Sequence, residues 1–224
     1  MQWILKNHKY NRQQIELCGN NYLLANGYMG YRGTLEEYTK DQHTACIING
    51  LYDQYKDKWR EPINAPNGLF VRVYCNGKPI TILENNVKEH SQLLDFKNAV
   101  HRRKTIFKFD SNQITISSER FVSLENLHLM CMKYSIIVSR DCEVTVETGI
   151  DGDVWDINGP HFKNLSSRVK DNYLILEAIT NELKHKITVA EAIDIHYGKQ
   201  KINKSAKSIT RQIEFEASAY REYS

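Results

Sequence analysis

Two adjacent carboxylates, Glu36 and Glu37, and three clustered aspartates, Asp151, Asp153 and Asp156, are the strongest acid–base candidates in this chain. Cleaving a glycosidic bond needs one carboxyl as proton donor and a second as base or nucleophile, flanking the bond. In an extended segment neighbouring side chains point to opposite faces, so Glu36 and Glu37 are not expected to flank one bond. The aspartates share the stretch Asp151-Gly152-Asp153-Val154-Trp155-Asp156 and converge only if it forms a loop. A calcium loop of the EF-hand type needs an oxygen ligand and then a glycine at the fifth and sixth places, where Trp155 and Asp156 stand. The stretch is therefore expected to be a structural loop closing a corner of a β fold.

Other constellations fail on residue type or spacing. No G-x-S-x-G elbow sets up a serine nucleophile. The eight histidines lack metal-ligand spacing such as H-E-x-x-H. Gly27, Gly30 and Gly33 give G-x-x-G-x-x-G, which suits tight turns and does not match a phosphate-cradling loop. Tyr22, Tyr28, Tyr31, Tyr38, Tyr52, Tyr55 and Trp59 crowd one region. Such rings pack a core, anchor an interface or stack on sugar faces, and the pattern leaves all three open. The basic run His101-Arg102-Arg103-Lys104 reads as a solvated strand edge rather than a phosphate patch.

Composition narrows the class. The formal net charge of +3 over 224 residues is too small to imply a nucleic-acid partner. Five cysteines, an odd number without C-x-x-C spacing, argue against a disulfide framework or a zinc site and suit a reducing cytoplasm. No apolar stretch near the N-terminus resembles a signal peptide, and no later segment is long enough to span a membrane as a helix.

The elements that must position these residues are β-strands. Residues up to about 66 are rich in Asn, Gly and Tyr, without a sustained period of two, and are expected to be irregular loops. From about residue 67 strands recur: Leu69 to Tyr74, then Asn76-Gly77 as a type I′ hairpin turn, with Ile80 to Leu83 returning. Further strands are expected at Thr105 to Phe109, Gln113 to Ser117, Arg120 to Val122, Leu127 to Val138, Glu143 to Thr148, Tyr173 to Ile179, Lys186 to Ala192 and Gln212 to Phe215. Turn residues separate them at roughly 8–12 residues, the spacing of β-sandwiches. The expected fold is all-β, one large antiparallel β-sandwich domain over 1–224, loop-rich over about 1–66 and strand-rich over about 67–224.

The most distinctive stretch is Leu24-Ala25-Asn26-Gly27-Tyr28-Met29-Gly30-Tyr31-Arg32-Gly33-Thr34-Leu35-Glu36-Glu37. It resembles the G-N-G-Y-[LM]-G-x-R-G-x-x-E-E signature of glycoside hydrolase family 65, which contains the maltose, trehalose and kojibiose phosphorylases. Ile48-Asn49-Gly50-Leu51-Tyr52 resembles that family's A-G-[VI]-Y element, and Ala65-Pro66-Asn67 its L-P-N. Arg120-Phe121-Val122-Ser123 with His128 and Tyr134, and Gly149-Ile150-Asp151-Gly152-Asp153-Val154 with His161, follow in the family's order. Agreement runs from about Arg12 to His161. Ala25 and Ala65 depart from the pattern, as a divergent member would.

The resemblance implies a super-sandwich of the galactose-mutarotase-like type that precedes an (α/α)6 catalytic domain. That domain, which would hold the general acid and the phosphate site, is expected to be missing from these 224 residues. The implied role is a non-catalytic N-terminal domain of a cytoplasmic disaccharide phosphorylase or glycosidase, acting through domain assembly, dimerisation or shaping of the sugar site. Implied partners are the catalytic domain, a second copy in a homodimer and the disaccharide substrate. Inorganic phosphate is the expected co-substrate of the parent enzyme, with no other cofactor. The alternative is a free-standing carbohydrate-binding or aldose-epimerase-like protein.

Asn26, Tyr28, Arg32, Glu36 and Tyr52 are the candidates for an interdomain surface or sugar-site rim. Arg32 beside Gly33 offers five donors in a planar fork on a pliable chain. That fork could bind a carboxylate across an interface, shape a rim, or pair internally with Glu36.

Overall fold

The computed structural model describes residues 3–8, 10–11, 14–84, 86–195 and 197–224, with the side chains of 15 and 16 left out. Arg12, where the family resemblance begins, lies outside the described residues. The first part of the chain holds β1 (Ile4–Asn7), helix α1 (Ile15–Asn21), β2 (Leu24–Ala25), β3 (Met29–Tyr31), β4 (Cys46–Asp53) and β5 (Glu61–Asn64). The middle holds β6 (Asn67–Cys75), β7 (Lys78–Ile80), β8 (Asn86–Asp95), β9 (Val100–Phe109), β10 (Asn112–Val122), β11 (Met130–Val138) and β12 (Cys142–Asp151). The last part holds β13 (Phe162–Lys170), β14 (Tyr173–Thr180), β15 (Lys186–Glu191), β16 (Lys199–Lys204), β17 (Ser208–Ala217) and β18 (Glu222–Tyr223).

The fold is all-β, and its strand pairs are antiparallel. One sheet runs β1-β8-β9-β10-β11-β18 and a second β16-β17-β12-β6-β7. Smaller sheets run β2-β3-β4-β5 and β13-β14-β15. Phe107, Ile114, Ile116, Ile136 and Val138 of the first sheet share a core with Val73, Cys75, Ile80, Val144 and Ala217 of the second. Period-two sequences cause this arrangement: alternate residues of β9 and β10 turn inward and their neighbours face out.

Asn76 and Gly77 both adopt positive φ, 48° and 73°, so the turn between β6 and β7 forms where Asn-Gly predicts it, but the return strand is Lys78–Ile80 and not Ile80 to Leu83, which goes on into a turn. Gln113 to Ser117 and Arg120 to Val122, expected as two strands, are one strand, β10. The polar strands β8, β13 and β16 carry too few consecutive apolar residues to be anticipated.

The first third differs from bare loop. Its strands are two to eight residues long, too short for a period to emerge, and Tyr22, Tyr31, Leu35 and Tyr38 are buried there. The basic run is not an edge. It lies in β9, paired on both sides, with His101 and Arg103 buried while Arg102 and Lys104 face out. Among the described residues, no helix is long and apolar enough to cross a membrane.

Candidate functional site

The signature segment builds its own support. Asn26 N–H donates to the Met29 carbonyl, and Gly27 takes φ +86°, closing the turn between β2 and β3. Asn26 Oδ1 accepts from the backbone N–H groups of Tyr28 (3.1 Å) and Met29 (2.9 Å). Its Nδ2 donates to the carbonyls of Ser123 (2.7 Å) and Leu127 (3.0 Å), nearly a hundred residues on. The Tyr28 ring meets His128 edge-on at 4.2 Å. Gly30 lies within β3, where an added Cβ would meet only Ala25 Cβ at 3.9 Å, so it is not a turn glycine.

Gly33 is sterically obligatory. An added Cβ would lie 2.4 Å from Tyr22 Cβ and 2.6 Å from the Tyr22 carbonyl. This close approach lets Gly33 N–H reach the Gly19 carbonyl at 2.7 Å. Arg32 Nε donates to Asn20 Oδ1 (3.1 Å) and Nη1 to the His43 carbonyl (2.8 Å), tying the end of α1 to the chain before β4.

Residues 36 and 37 form a turn rather than an extended segment, so both carboxylates converge on one guanidinium. Arg103 Nη1 donates to Glu36 Oε2 at 2.7 Å and Nη2 to Glu37 Oε1 at 2.8 Å, while Nε meets Thr105 Oγ1 at 2.9 Å. Glu36 Oε1 also accepts from Ser118 Oγ (2.7 Å) and, more loosely, from Arg120 Nη1 (3.5 Å). Arg120 Nη2 donates to the Thr34 carbonyl at 2.6 Å, and its guanidinium lies 5.2 Å from the Tyr31 ring centre. The internal partners of Glu36 are thus Arg103 and Arg120, not the Arg32 proposed on sequence grounds. Glu36 is buried, so it acts inside the fold and not at a rim.

Electrostatics fix these protonation states. Burial alone would raise the Glu36 carboxyl, but Arg103 and Arg120 outweigh it and hold it at about 2. Two carboxylates against two guanidinia leave the cluster neutral. Nearby, burial pushes the His90 imidazole down to about 3 and His101 well below its ordinary value, so both rings are neutral. A Glu36 carboxyl held at about 2 keeps its charge at neutral pH and is a poor proton donor there.

The aspartate stretch leads to a second buried cluster. Asp151 Oδ1 caps Asp153 N–H at 2.9 Å, and Asp153 faces Lys40 (3.0 Å) and Lys207 (2.6 Å). Asp156 Oδ1 accepts from Asn64 N–H at 3.0 Å. Beyond the stretch, His161 Nδ1 lies 3.0 Å from Asp53 Oδ2 and Nε2 lies 2.6 Å from Glu61 Oε1, all three residues fully buried. Asp53 also accepts from Glu182 N–H at 2.8 Å, joining the β14–β15 turn to β4. Burial, helped by the charges of Glu61 and Asp53, pushes the Asp156 carboxyl up to about 7 against the Asn64 N–H hydrogen bond and the pull of His161. Burial opposes charge on His161, yet its hydrogen bonds to Glu61 and Asp53 raise its pKa overall.

Of the candidates, Asn26 and Tyr28 meet at one turn, Arg32 braces α1, Glu36 sits in the core, and Tyr52 is exposed on β4. Arg103, Asp53 and Glu61 carry no local signal. Their roles come from partners 66, 108 and 100 positions away.

Comparison with known proteins decides the family. Residues 5–224 match the family described as glycosyl hydrolase family 65, N-terminal domain. The chain belongs to this family. Its family-65 sequence is 35% identical to the nigerose phosphorylase of Lachnoclostridium phytofermentans over 223 residues, covering 92% of this chain and 30% of that enzyme. It is 35% identical to the 1,2-alpha-glucosylglycerol phosphorylase of Bacillus selenitireducens, covering 72% and 21%. With the kojibiose phosphorylase of Thermoanaerobacter brockii the identity is 28%, covering 92% and 28%. A solved structure assigned as a kojibiose phosphorylase from human microbiome shares the fold, with a TM-score of 0.88 at 14% identity over 98% of this chain and 31% of that one. The family-65 chain thus spans less than a third of each relative's length.

Proposed function

We propose that this chain is the N-terminal domain of a disaccharide phosphorylase of family 65, and that it supports the catalytic part without turning over substrate itself. The match across residues 5–224, with phosphorylases among the relatives, carries this reading. The site geometry favours the supporting role. Glu36 and Glu37, the carboxylates of the signature, are consumed in buried pairs with Arg103 and Arg120. A carboxylate held ionised in a neutralised cluster is a poor proton donor at neutral pH.

On this reading Asn26, Tyr28, Arg32 and Tyr52 shape an interdomain surface or the rim of a sugar site, with Glu36 bracing them from inside. Inorganic phosphate is the co-substrate of the whole enzyme and an α-linked glucose disaccharide its substrate. The test is to read the coding frame past codon 224 and incubate its full product with phosphate and kojibiose, nigerose or maltose. Phosphate-dependent release of glucose 1-phosphate supports the reading. A native product of 26.1 kDa that binds or epimerises sugar without phosphate would replace it with the free-standing alternative.

A further inference from the structure

The turn between β10 and β11 exposes three leucines within six residues: Leu124 is 71% exposed, Leu127 40% and Leu129 43%. Phe121, at the end of β10, is 40% exposed. An exposed leucine alone needs no explanation, but an apolar group on a rigid turn marks an interaction surface.

This turn is held from within and from outside. Ser123 Oγ accepts from Asn126 N–H (2.9 Å), Leu129 N–H donates to the Asn126 carbonyl (3.0 Å), and Ser123 N–H donates to the Leu129 carbonyl (2.9 Å). The external ties come from the signature segment: Asn26 Nδ2 reaches the carbonyls of Ser123 and Leu127, and Tyr28 packs on His128. Asn26 thereby presents a preformed apolar knob. Preformed surfaces lose little conformational entropy on docking, which is the physical use of such rigidity.

We infer that this knob, Leu124, Leu127 and Leu129 beside Phe121, is the seat of the polypeptide that makes up the other two-thirds or more of family-65 enzymes. The inference rests on the proposed function, since it names that partner's docking site. Two observations select this occupant. The relatives carry most of their length outside the region matched here, which makes that remainder the largest polypeptide that shares a chain with such a domain. The knob is also continuous with the signature segment, whose side chains hold it in place.

The test uses a full-length product already found to phosphorolyse a disaccharide, so failure of the functional reading is scored separately. Leu124→Cys is treated with a maleimide and the adduct located by peptide mass, native and in urea. Glu125→Cys, at the exposed neighbouring position, serves if the first variant does not fold. Seated under the remaining polypeptide, the introduced thiol should label about tenfold or more slower in the native enzyme than in urea. Labelling at the same rate in both states would overturn the inference. So would protection that fades on dilution, which would mean that a second copy covers the knob.

Discussion

Removing the Glu36 charge while keeping its shape isolates what the buried ion cluster contributes. Glu36→Gln leaves Arg103 and Arg120 facing Glu37 alone, an excess positive charge among buried side chains. Breaking one partner of a buried pair costs about 3–5 kcal/mol. The pKa gives a similar figure: a carboxyl held at about 2 against an ordinary 4.5 corresponds to about 3 kcal/mol at neutral pH. For a chain of this size each kcal/mol moves the melting temperature by about 2–4 °C, so a fall of roughly 10 °C is expected. Urea unfolding followed by tryptophan fluorescence, with thermal melts alongside, reads it. Adding Arg120→Met should then cost less than it does alone, because the excess charge is relieved. A Glu36→Gln protein melting within about 3 °C of the parent, with unchanged cooperativity, would refute the claim that this cluster holds the signature segment in place.

The acid side should mirror that variant. Since the Glu36 carboxyl is lowered, its stability is fully present above about pH 4.5 and is lost as pH falls toward 2, and acid titration of the Glu36→Gln protein should lack that component. The second cluster has the opposite sign. Asp156 is raised to about 7, so the folded state holds its proton between about pH 4 and 7 and stability declines as pH climbs through that window. The raised His161 contributes fully below its ordinary 6.5 and loses that contribution as pH rises from there through its folded value, in the same direction. Asp156→Asn should flatten the decline between about pH 4 and 7 in urea-unfolding curves, and an unchanged slope would remove Asp156 as its source. Gly33→Ala should cost about 3 kcal/mol, because the new methyl meets the Tyr22 backbone, which would have to shift. A soluble variant with the parent's melting point would contradict that geometry. Arg32→Ala loses two charge-assisted bonds and should cost about 2 kcal/mol. If it changed neither stability nor phosphorolysis in the full product, Arg32 would have no supporting role.

What the sequence determines alone is local. Alternation of polar and apolar residues marks the strands around β10 and β12, because side chains of a strand point to opposite faces by covalent geometry. Asn76-Gly77 specifies its hairpin, because few residue pairs tolerate two consecutive positive φ values. The ordered run of motifs from Asn26 to His161 carries the family. What only the tertiary structure decides is which charges meet. Glu36 and Glu37 looked divergent until the turn at 36–37 aimed both at Arg103, a residue whose run read as solvated. His161 stood in a family motif, yet Asp53 and Glu61 join it only because β4 and β5 fold against the loop before β13. Polar residues far apart in sequence leave no periodic trace, since a buried ion pair depends on distance in space and not on spacing along the chain. The apolar strands after residue 67 were legible because their pattern is local, whereas the short or polar strands and the clusters that fasten the sheets together were not.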